Sequence, residues 1–450
     1  MEGAQEVCCK QNGSGRPRIR RAIVSSTRIW LLTVALALLC TQKFRMPLAA
    51  GETLTLEQAV SIALQHNPEL LAARQGVETA KSRVVRAHYL NQFNPQVEAG
   101  ASQAHFQFAP AGSEAQPSAS VSLQVEIAGQ RGKRIEEADQ NLAKTRAEVA
   151  DAVRLTKARA QYAFYQALYL RQRLDLMQRI EELNLRLRDA SMVRFQSGET
   201  PKLEANLAAV RYDQSRKATL FARRDYEDGL RMLQRVLGLR PRGIIEPSGS
   251  LSTLASEVDP ERALELAMAN RPDLRASDFE IKRIVADIAL TRRLIVPNPI
   301  VRGFADRIAD SPGQFIRVLG GSVSISVPLF DRKQAELTAL QAQRRRASYE
   351  RTATELTIEQ QLRDAIAAYD AARETVRLFE NDAVGRIQES FGLIEGSYRS
   401  GKTGLIELIV AENDLVSSYS SYLDSLWDYQ VARIGVETAV GVDFGAIARQ

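Results

Sequence analysis

Two carboxylates stand at matching places in this chain. Glu204 and Glu407 each follow a glycine by six residues, Gly198 and Gly401. An acid near the start of a helix is favoured by the positive end of the helix dipole. Acids gathered around an opening also select cations. Spacing alone leaves both roles open. A second pattern suggests nucleotide chemistry: Gly396, Gly401, Lys402 and Thr403 fit G-x4-G-K-[ST], the loop that cradles phosphates with backbone N–H groups. That mechanism needs a strand before the loop and a helix after it. Here Ile387 to Ile394 ends a long helical run, and the matching first-half position to Lys402 is Glu199. Nucleotide hydrolysis is therefore not expected. The only histidines are His66, His88 and His105, and none pair at ligand spacing. No nucleophile, base and orienting partner form a set, so neither an enzyme nor a bound metal or cofactor is expected.

These positions match because the chain says the same thing twice. Asn67-Pro68-Glu69-Leu70 returns as Arg271-Pro272-Asp273-Leu274, 204 residues later. Asn94-Pro95 returns as Asn298-Pro299 at the same offset, and Val121–Val125 as Val323–Val327 at 202. Phe195–Thr200 returns as Tyr398–Thr403, and Val236-Leu237-Gly238 as Ala439-Val440-Gly441, both at 203. Array repeats run about 20–50 residues, so this is duplication of a half-chain. The first repeat spans 54–238, a Pro-, Gly- and Ser-bearing linker 239–258, and the second repeat 259–441.

The chain has 450 residues and a formal charge of +6. Eight of its basic residues and two of its acids lie in 1–50, leaving 52 of each elsewhere. Bulk charge thus gives no nucleic-acid footprint. Arg16, Arg18, Arg20, Arg21 and Arg28 precede an apolar run, Trp30 to Cys40, too short to span a bilayer. Leu48-Ala49-Ala50 then suits cleavage. Residues 1–50 are expected to be an export signal and 51–450 the exported protein; a short membrane anchor is the alternative. Cys8, Cys9 and Cys40 all precede the cut, so disulfides are not expected. Leu39 is bulky for lipidation of Cys40.

Local signals set the elements. Leu56, Ala59, Val60, Ala63 and Leu64 have helical spacing behind Thr55, a suitable N-cap. Pro68 opens a second helix to about Leu90, and Asn94-Pro95 stops it. Ser120 to Ile127 alternates, with Val121, Leu123, Val125 and Ile127 on one face and Ser120, Ser122, Gln124 and Glu126 on the other. With 96–108 and a loop at Pro110 to Pro117 it reads as a hairpin. Lys133 to Ser197 holds no Gly or Pro over 65 residues, a helix of about 100 Å at 1.5 Å per residue. Gly198-Glu199-Thr200-Pro201 turns it, and the return helix runs to Leu237 with Gly238 as its cap. The second half repeats this: helices at 259–269 and 273–296, a hairpin at 300–327 turning at Ser311-Pro312-Gly313, a Gly- and Pro-free run from Leu329 to Val384, a turn at Gly401, and a last helix to about Val440. Alanines such as Ala160, Ala163 and Ala167 permit close helix packing, in a coiled coil or in a cylinder wall.

Strands of about 9–12 residues suit a tilted membrane strand. Four strands per chain cannot close a barrel, and lipid does not tolerate an open edge, so such strands demand oligomerisation. The alternative is a soluble hairpin covering a helical bundle.

The ordered set Leu54-Thr55-Leu56-Glu57-Gln58-Ala59, Asn67-Pro68-Glu69-Leu70, Asn94-Pro95, hairpin and Phe195-Gln196-Ser197-Gly198, with its duplicate, resembles the TolC-like outer membrane efflux protein family. The resemblance covers about 54–441. It implies a mostly α fold with a membrane β-barrel part: long antiparallel helical hairpins forming a periplasmic α-barrel, and a trimeric twelve-stranded barrel among outer membrane lipid. It also implies a homotrimer working passively with a periplasmic adaptor and an inner-membrane pump. Glu126–Arg134 is similar to the segment entering the first long helix in the CzcC-like heavy-metal efflux subfamily. Ser326–Arg332 is a weaker match to the second. Heavy-metal cations exported through an RND-type pump are the expectation, with drug, solvent or type I secretion as alternatives. In this resemblance Glu204 and Glu407 line the periplasmic aperture, six carboxylates in a trimer. The turns at Ser197, Gly198, Ser400 and Gly401 receive the adaptor. A soluble coiled-coil scaffold is the rival of another class, disfavoured by the matched hairpins.

Overall fold

The computed structural model describes residues 53–447 except 106–112, 241–244, 253–255, 312–313, 381–382 and 401. The expected export signal, most of the first hairpin loop, Pro312-Gly313 and Gly401 lie outside the described residues.

The first half begins with β1 (Thr53–Leu54) and α1 (Leu56–His66). Thr55 caps α1 in a reciprocal box with Gln58, satisfying two N–H groups that a helix start leaves unpaired. Then come α2 (Pro68–Ala87), β2 (Gln96–His105), β3 (Ser113–Gln124), α3 (Gln130–Gln196) and α4 (Lys202–Val236). A two-residue β4 (Glu246–Pro247) pairs parallel with β1. The second half holds α5 (Pro260–Asn270), α6 (Pro272–Leu294), β5 (Ile300–Ser311), β6 (Gln314–Ser324), α7 (Gln334–Glu380), α8 (Ala383–Arg399), α9 (Leu405–Val440) and α10 (Phe444–Ile447). At 67 residues, α3 is about 100 Å long.

Three boundaries differ from expectation. Strand β3 begins at Ser113 and carries Pro117, so the loop read at Pro110 to Pro117 is shorter. The β3–β5 pairing starts only at Ser118, so Pro117 has a free side there, where a missing N–H is tolerated. Strand β3 also ends at Gln124, before the alternation does. And α7 starts at Gln334, not Leu329. Lys333, with φ +60°, is the one non-glycine residue in the left-handed region among those described; Gly129, φ +71°, holds the matching place before α3. The sharp entry into the long helix is thus kept in both halves, but the second half makes it with a side chain that disfavours it. Lys333→Gly is expected to raise the melting temperature by a few degrees, checked by thermal unfolding in detergent. Its exposed pairing with Glu336 is of the kind that contributes little.

The junction where each half turns back is built twice. Asn67, at the start of α2, donates through Nδ2 to the Val236 carbonyl at the end of α4, 2.9 Å away. Arg271, at the start of α6, reaches the matching Ala439 carbonyl at 3.3 Å, and holds Asp273 through two nitrogens at 3.0 and 2.6 Å. Burial pushes the Asp273 carboxyl up, but the Arg271 guanidinium outweighs this and holds it below its ordinary value. Around the junction sits the main core, including Phe164, Leu233, Leu237, Tyr369 and Tyr429, all at most 1% exposed. Ala160, Ala163 and Ala167 are buried in it, and their small side chains let α3 pass close to its neighbours.

At the other end of the long helices, β2, β3, β5 and β6 form one antiparallel sheet in that order. Opposed residues share a face. Val97 faces Val121, Val121 faces Gly303, and Val301 faces Val323. All four valines are exposed, between 48% and 76%. The opposite face carries Glu98, Ser120, Ser122 and Arg302. Ser120 donates to Glu98 at 3.3 Å, and Arg302 lies 3.5 Å from the same carboxylate. Near the helices this gives one apolar exposed face and one polar face, which suit lipid and water respectively. Towards the hairpin tips the pattern breaks, with Arg307 opposite Arg317 on the valine side and Ile308 opposite Ile316 on the other. Among the described residues no helix is long and apolar enough to cross a membrane.

Candidate functional site

Both helix turns lie at the far end of the hairpins, away from the sheet. In the first, Gly198 has φ +79° and is exposed, with nothing near the place of a Cβ. Glu199 N–H returns to the Arg194 carbonyl at 2.9 Å and Gly198 N–H to Phe195 at 3.1 Å, which satisfies carbonyls a helix end leaves open. Ser197 is exposed and its hydroxyl donates to the Arg194 carbonyl at 3.0 Å. In the second turn Lys402 N–H reaches the Ser397 carbonyl at 3.0 Å, the counterpart of the Glu199 bond. Ser400 is exposed and donates to Ser397 at 3.1 Å. Gly401 itself is outside the described residues. The turn shape comes from backbone bonding, and both serines spend their hydroxyls on it.

The two carboxylates are not equivalent. Glu204, half-buried in the first turn of α4, accepts a 3.0 Å hydrogen bond from the Tyr398 hydroxyl. Tyr398 is fully buried between the turns, with Leu183, Leu187, Ala208, Leu405 and Leu408. Burial pushes its phenol above its ordinary value, and the Glu204 carboxylate adds to that. It therefore stays a donor across the neutral range. The Arg194 guanidinium lies 5.3 Å over its ring. Glu407 is exposed and caps its own helix, accepting from Gly404 N–H at 3.4 Å. It also lines an open cleft with Ser397, Thr403 and Asp414. The repeat explains the difference: the counterpart of Tyr398 is Phe195, which has no hydroxyl.

A polar cluster a little further along the hairpins escaped the sequence reading. Glu412 on α9 is 0% exposed. Its Oε1 accepts from Asn184 Nδ2 on α3 at 2.9 Å and from Arg211 on α4 at 3.1 Å. Arg211 also holds Asn413. The signal available was a difference between copies: Ala209, Ile387 and Asp414 stand at the positions matching Glu412, Asn184 and Arg211. Gly396 to Tyr398, the start of the phosphate-loop pattern, are helical within α8 with no strand before them. Among the described residues no group of three or more His, Cys, Asp or Glu is placed to hold a metal ion.

A four-stranded sheet with a lipid-type face, carried on helical hairpins that end in paired turns, defines a membrane-anchored exit duct. The chain belongs to the outer membrane efflux protein family, whose model matches residues 59–239 and 263–442, one segment in each repeat. It is similar to the cobalt-zinc-cadmium resistance protein CzcC of Cupriavidus metallidurans, 22% identical over 395 residues, which cover 88% of this chain and 92% of that one. Two solved structures share the fold. CusC superposes with a TM-score of 0.70 at 14% identity, over 89% of this chain and 98% of its own. A membrane protein from Pseudomonas aeruginosa gives 0.70 at 20% identity, over 86% and 92%. The protein is thus an outer membrane efflux channel component, with its sheet in the membrane and its long helices in the periplasm.

Proposed function

We propose that the chain works as a homotrimer, the passive outer duct of a tripartite pump that exports divalent heavy-metal cations of the cobalt, zinc and cadmium class. The observation that carries the trimer is the open sheet. Four strands with a lipid-type face leave two unpaired edges, and lipid demands closure. Three copies supply twelve strands, an even number within the range of membrane barrels. The likeness to CzcC supports the substrate class. The turns at Ser197, Gly198, Ser400 and Gly401 receive a periplasmic adaptor, which links the duct to an RND-type inner-membrane pump; the exposure of Ser197, Gly198 and Ser400 supports this. Cross-linked trimers in the outer membrane fraction, and metal sensitivity on deletion relieved by the intact chain, test this. A monomer in the soluble fraction overturns it.

Glu204 and Glu407 then ring the periplasmic mouth with six carboxylates. Such a ring favours cations. In planar bilayers Glu204→Gln/Glu407→Gln channels are expected to lose most of their cation preference. Glu407→Gln alone is expected to carry the larger share, because Glu204 is held by Tyr398. An unchanged reversal potential in the double variant sinks the ring.

A further inference from the structure

The joint between the two repeats is complete on one side of the sheet, and its mirror image stands unused on the outer edges. Strand β3 lies against β5 with Val121 opposite Gly303 and Ser122 opposite Arg302. Past the strand end, Val125 N–H donates to the Pro299 carbonyl at 2.9 Å. Gln130, fully buried, then clasps the halves together. Its Oε1 accepts from Ala128 N–H at 2.9 Å and its Nε2 donates to Asn298 Oδ1 at 2.8 Å.

Each of these groups has a counterpart on a free edge. Strand β6 matches β3, and β2 matches β5. Gln334 follows the left-handed Lys333 as Gln130 follows the left-handed Gly129. Its Oε1 accepts from Arg332 N–H at 2.7 Å, repeating half of the clasp. Its Nε2 turns back instead to the Phe330 carbonyl of its own loop at 2.9 Å. Asn94, the counterpart of Asn298, is exposed and makes no hydrogen bond among the described residues. The hairpins fix the correspondence independently of the sequence offsets. Gln96 opposes Ser122, and Ile300 opposes Ser324, the same pair moved by 204 and 202 residues.

We infer that β6 pairs with β2 of a second copy in a single register, and that Gln334 clasps Asn94 of the partner subunit. This rests on the trimer reading above. Moving the β3–β5 register by the two offsets puts Val323 opposite Ala99 of the partner subunit, and Ser324 opposite Glu98 of the partner subunit. Val327 N–H then donates to the carbonyl of Pro95 of the partner subunit, as Val125 does to Pro299. The register is chemically consistent at every step. Val323 and Ile325 meet Ala99 and Val97 of the partner subunit on the lipid face, while Ser322 and Ser324 meet Gly100 and Glu98 of the partner subunit on the polar face. A slip of one residue would turn every side chain to the wrong face. On assembly the Gln334 carboxamide has only to exchange the Phe330 carbonyl for Asn94.

Disulfide trapping tests the register. Directly opposed strand residues have Cα atoms about 4.5–5.5 Å apart, within disulfide reach. Ser324→Cys/Glu98→Cys is expected to give linked dimers and trimers on a denaturing gel, at least about tenfold faster than Ser322→Cys/Glu98→Cys, whose diagonal geometry is too long. Each single-cysteine variant and the unaltered chain, which carries Cys8, Cys9 and Cys40, serve as blanks. If the shifted pair links as fast or faster while trimers persist, the register falls and the trimer stands. If no trimer exists under native conditions, both fall. For the clasp, Gln334→Ala and Asn94→Ala are each expected to lower the trimer dissociation temperature, with the double variant no lower than the worse single one. Additive losses overturn the clasp.

Discussion

Gly238→Ala is expected to deplete the folded protein from the outer membrane fraction. Two costs meet at this position. The residue holds φ +70°, and an added Cβ would lie 2.2 Å from the His66 carbonyl oxygen and 2.7 Å from its carbon. Left-handed backbone costs a non-glycine residue about 1–2 kcal/mol. The clash is with backbone at the α1–α2 corner, which is itself tied down. Asn67 holds Val236, and Leu237 is wholly buried. Overpacking against a rigid wall adds about 1–3 kcal/mol, so the sum is roughly 2–5 kcal/mol. Two other glycines separate the costs. Gly198, φ +79°, has open space around it, and at Gly441, φ +82°, a Cβ would meet Arg271 and Arg154 only at ordinary contact distances, 3.5 Å or beyond. Alanine at either should cost only the backbone term, about 1–2 kcal/mol. Thermal unfolding in detergent checks the ranking. A Gly238→Ala protein as stable as Gly198→Ala would refute the close-approach account.

Glu412→Ala is expected to be the most damaging substitution among the polar residues near the helix turns. The carboxylate has no exposed surface, and it ties both α3 and α4 to α9, through Asn184 and Arg211. Removing one partner of a buried ion pair costs about 3–5 kcal/mol. The Arg211 side chain is 22% exposed and can recover some hydration, so roughly 2–3 kcal/mol is the better expectation. Glu412→Gln should be milder. It keeps an acceptor for Asn184, and Oε2 of the native carboxylate has no hydrogen-bond partner among the described residues, so little is lost there. A double-mutant cycle with Arg211→Ala should show coupling above about 1 kcal/mol. If Glu412→Gln and Glu412→Ala unfold at the same temperature, the node is filled space and not a tie.

What the sequence made legible was local. Thr55 with Gln58 announced a cap, Pro68 a first helical turn, and the run without Gly or Pro a single helix, because each signal acts within a few residues. Alternation gave the strand faces for the same reason. What stayed hidden depended on partners far along the chain. Pro117 lies in a strand because β5 does not pair that far up, which no window around Pro117 reports. Gln130 meets Asn298 at a separation of 168 residues, and Asn184 meets Glu412 at 228. The paired acids were found by comparing the repeats, but comparison by likeness missed Tyr398. It aligns with Phe195, and both read as an aromatic at a helix end.

That one hydroxyl has a consequence for whatever docks at the turns. In the proposed trimer the scaffold offers six near-copies around an axis, but only every second one carries the phenol that restrains a carboxylate. The proposed rim would therefore alternate between a tethered acid and a free one, with a rotational order of three. A visitor with six identical fingertips would find only half of them matched by any single fingertip chemistry. A visitor whose fingertips come in two kinds, or in three pairs, could be matched at all six. In that trimer the duplicated gene would keep the shape of a hexagon while one oxygen, present on Tyr398 and absent from Phe195, gives it the recognition pattern of a triangle.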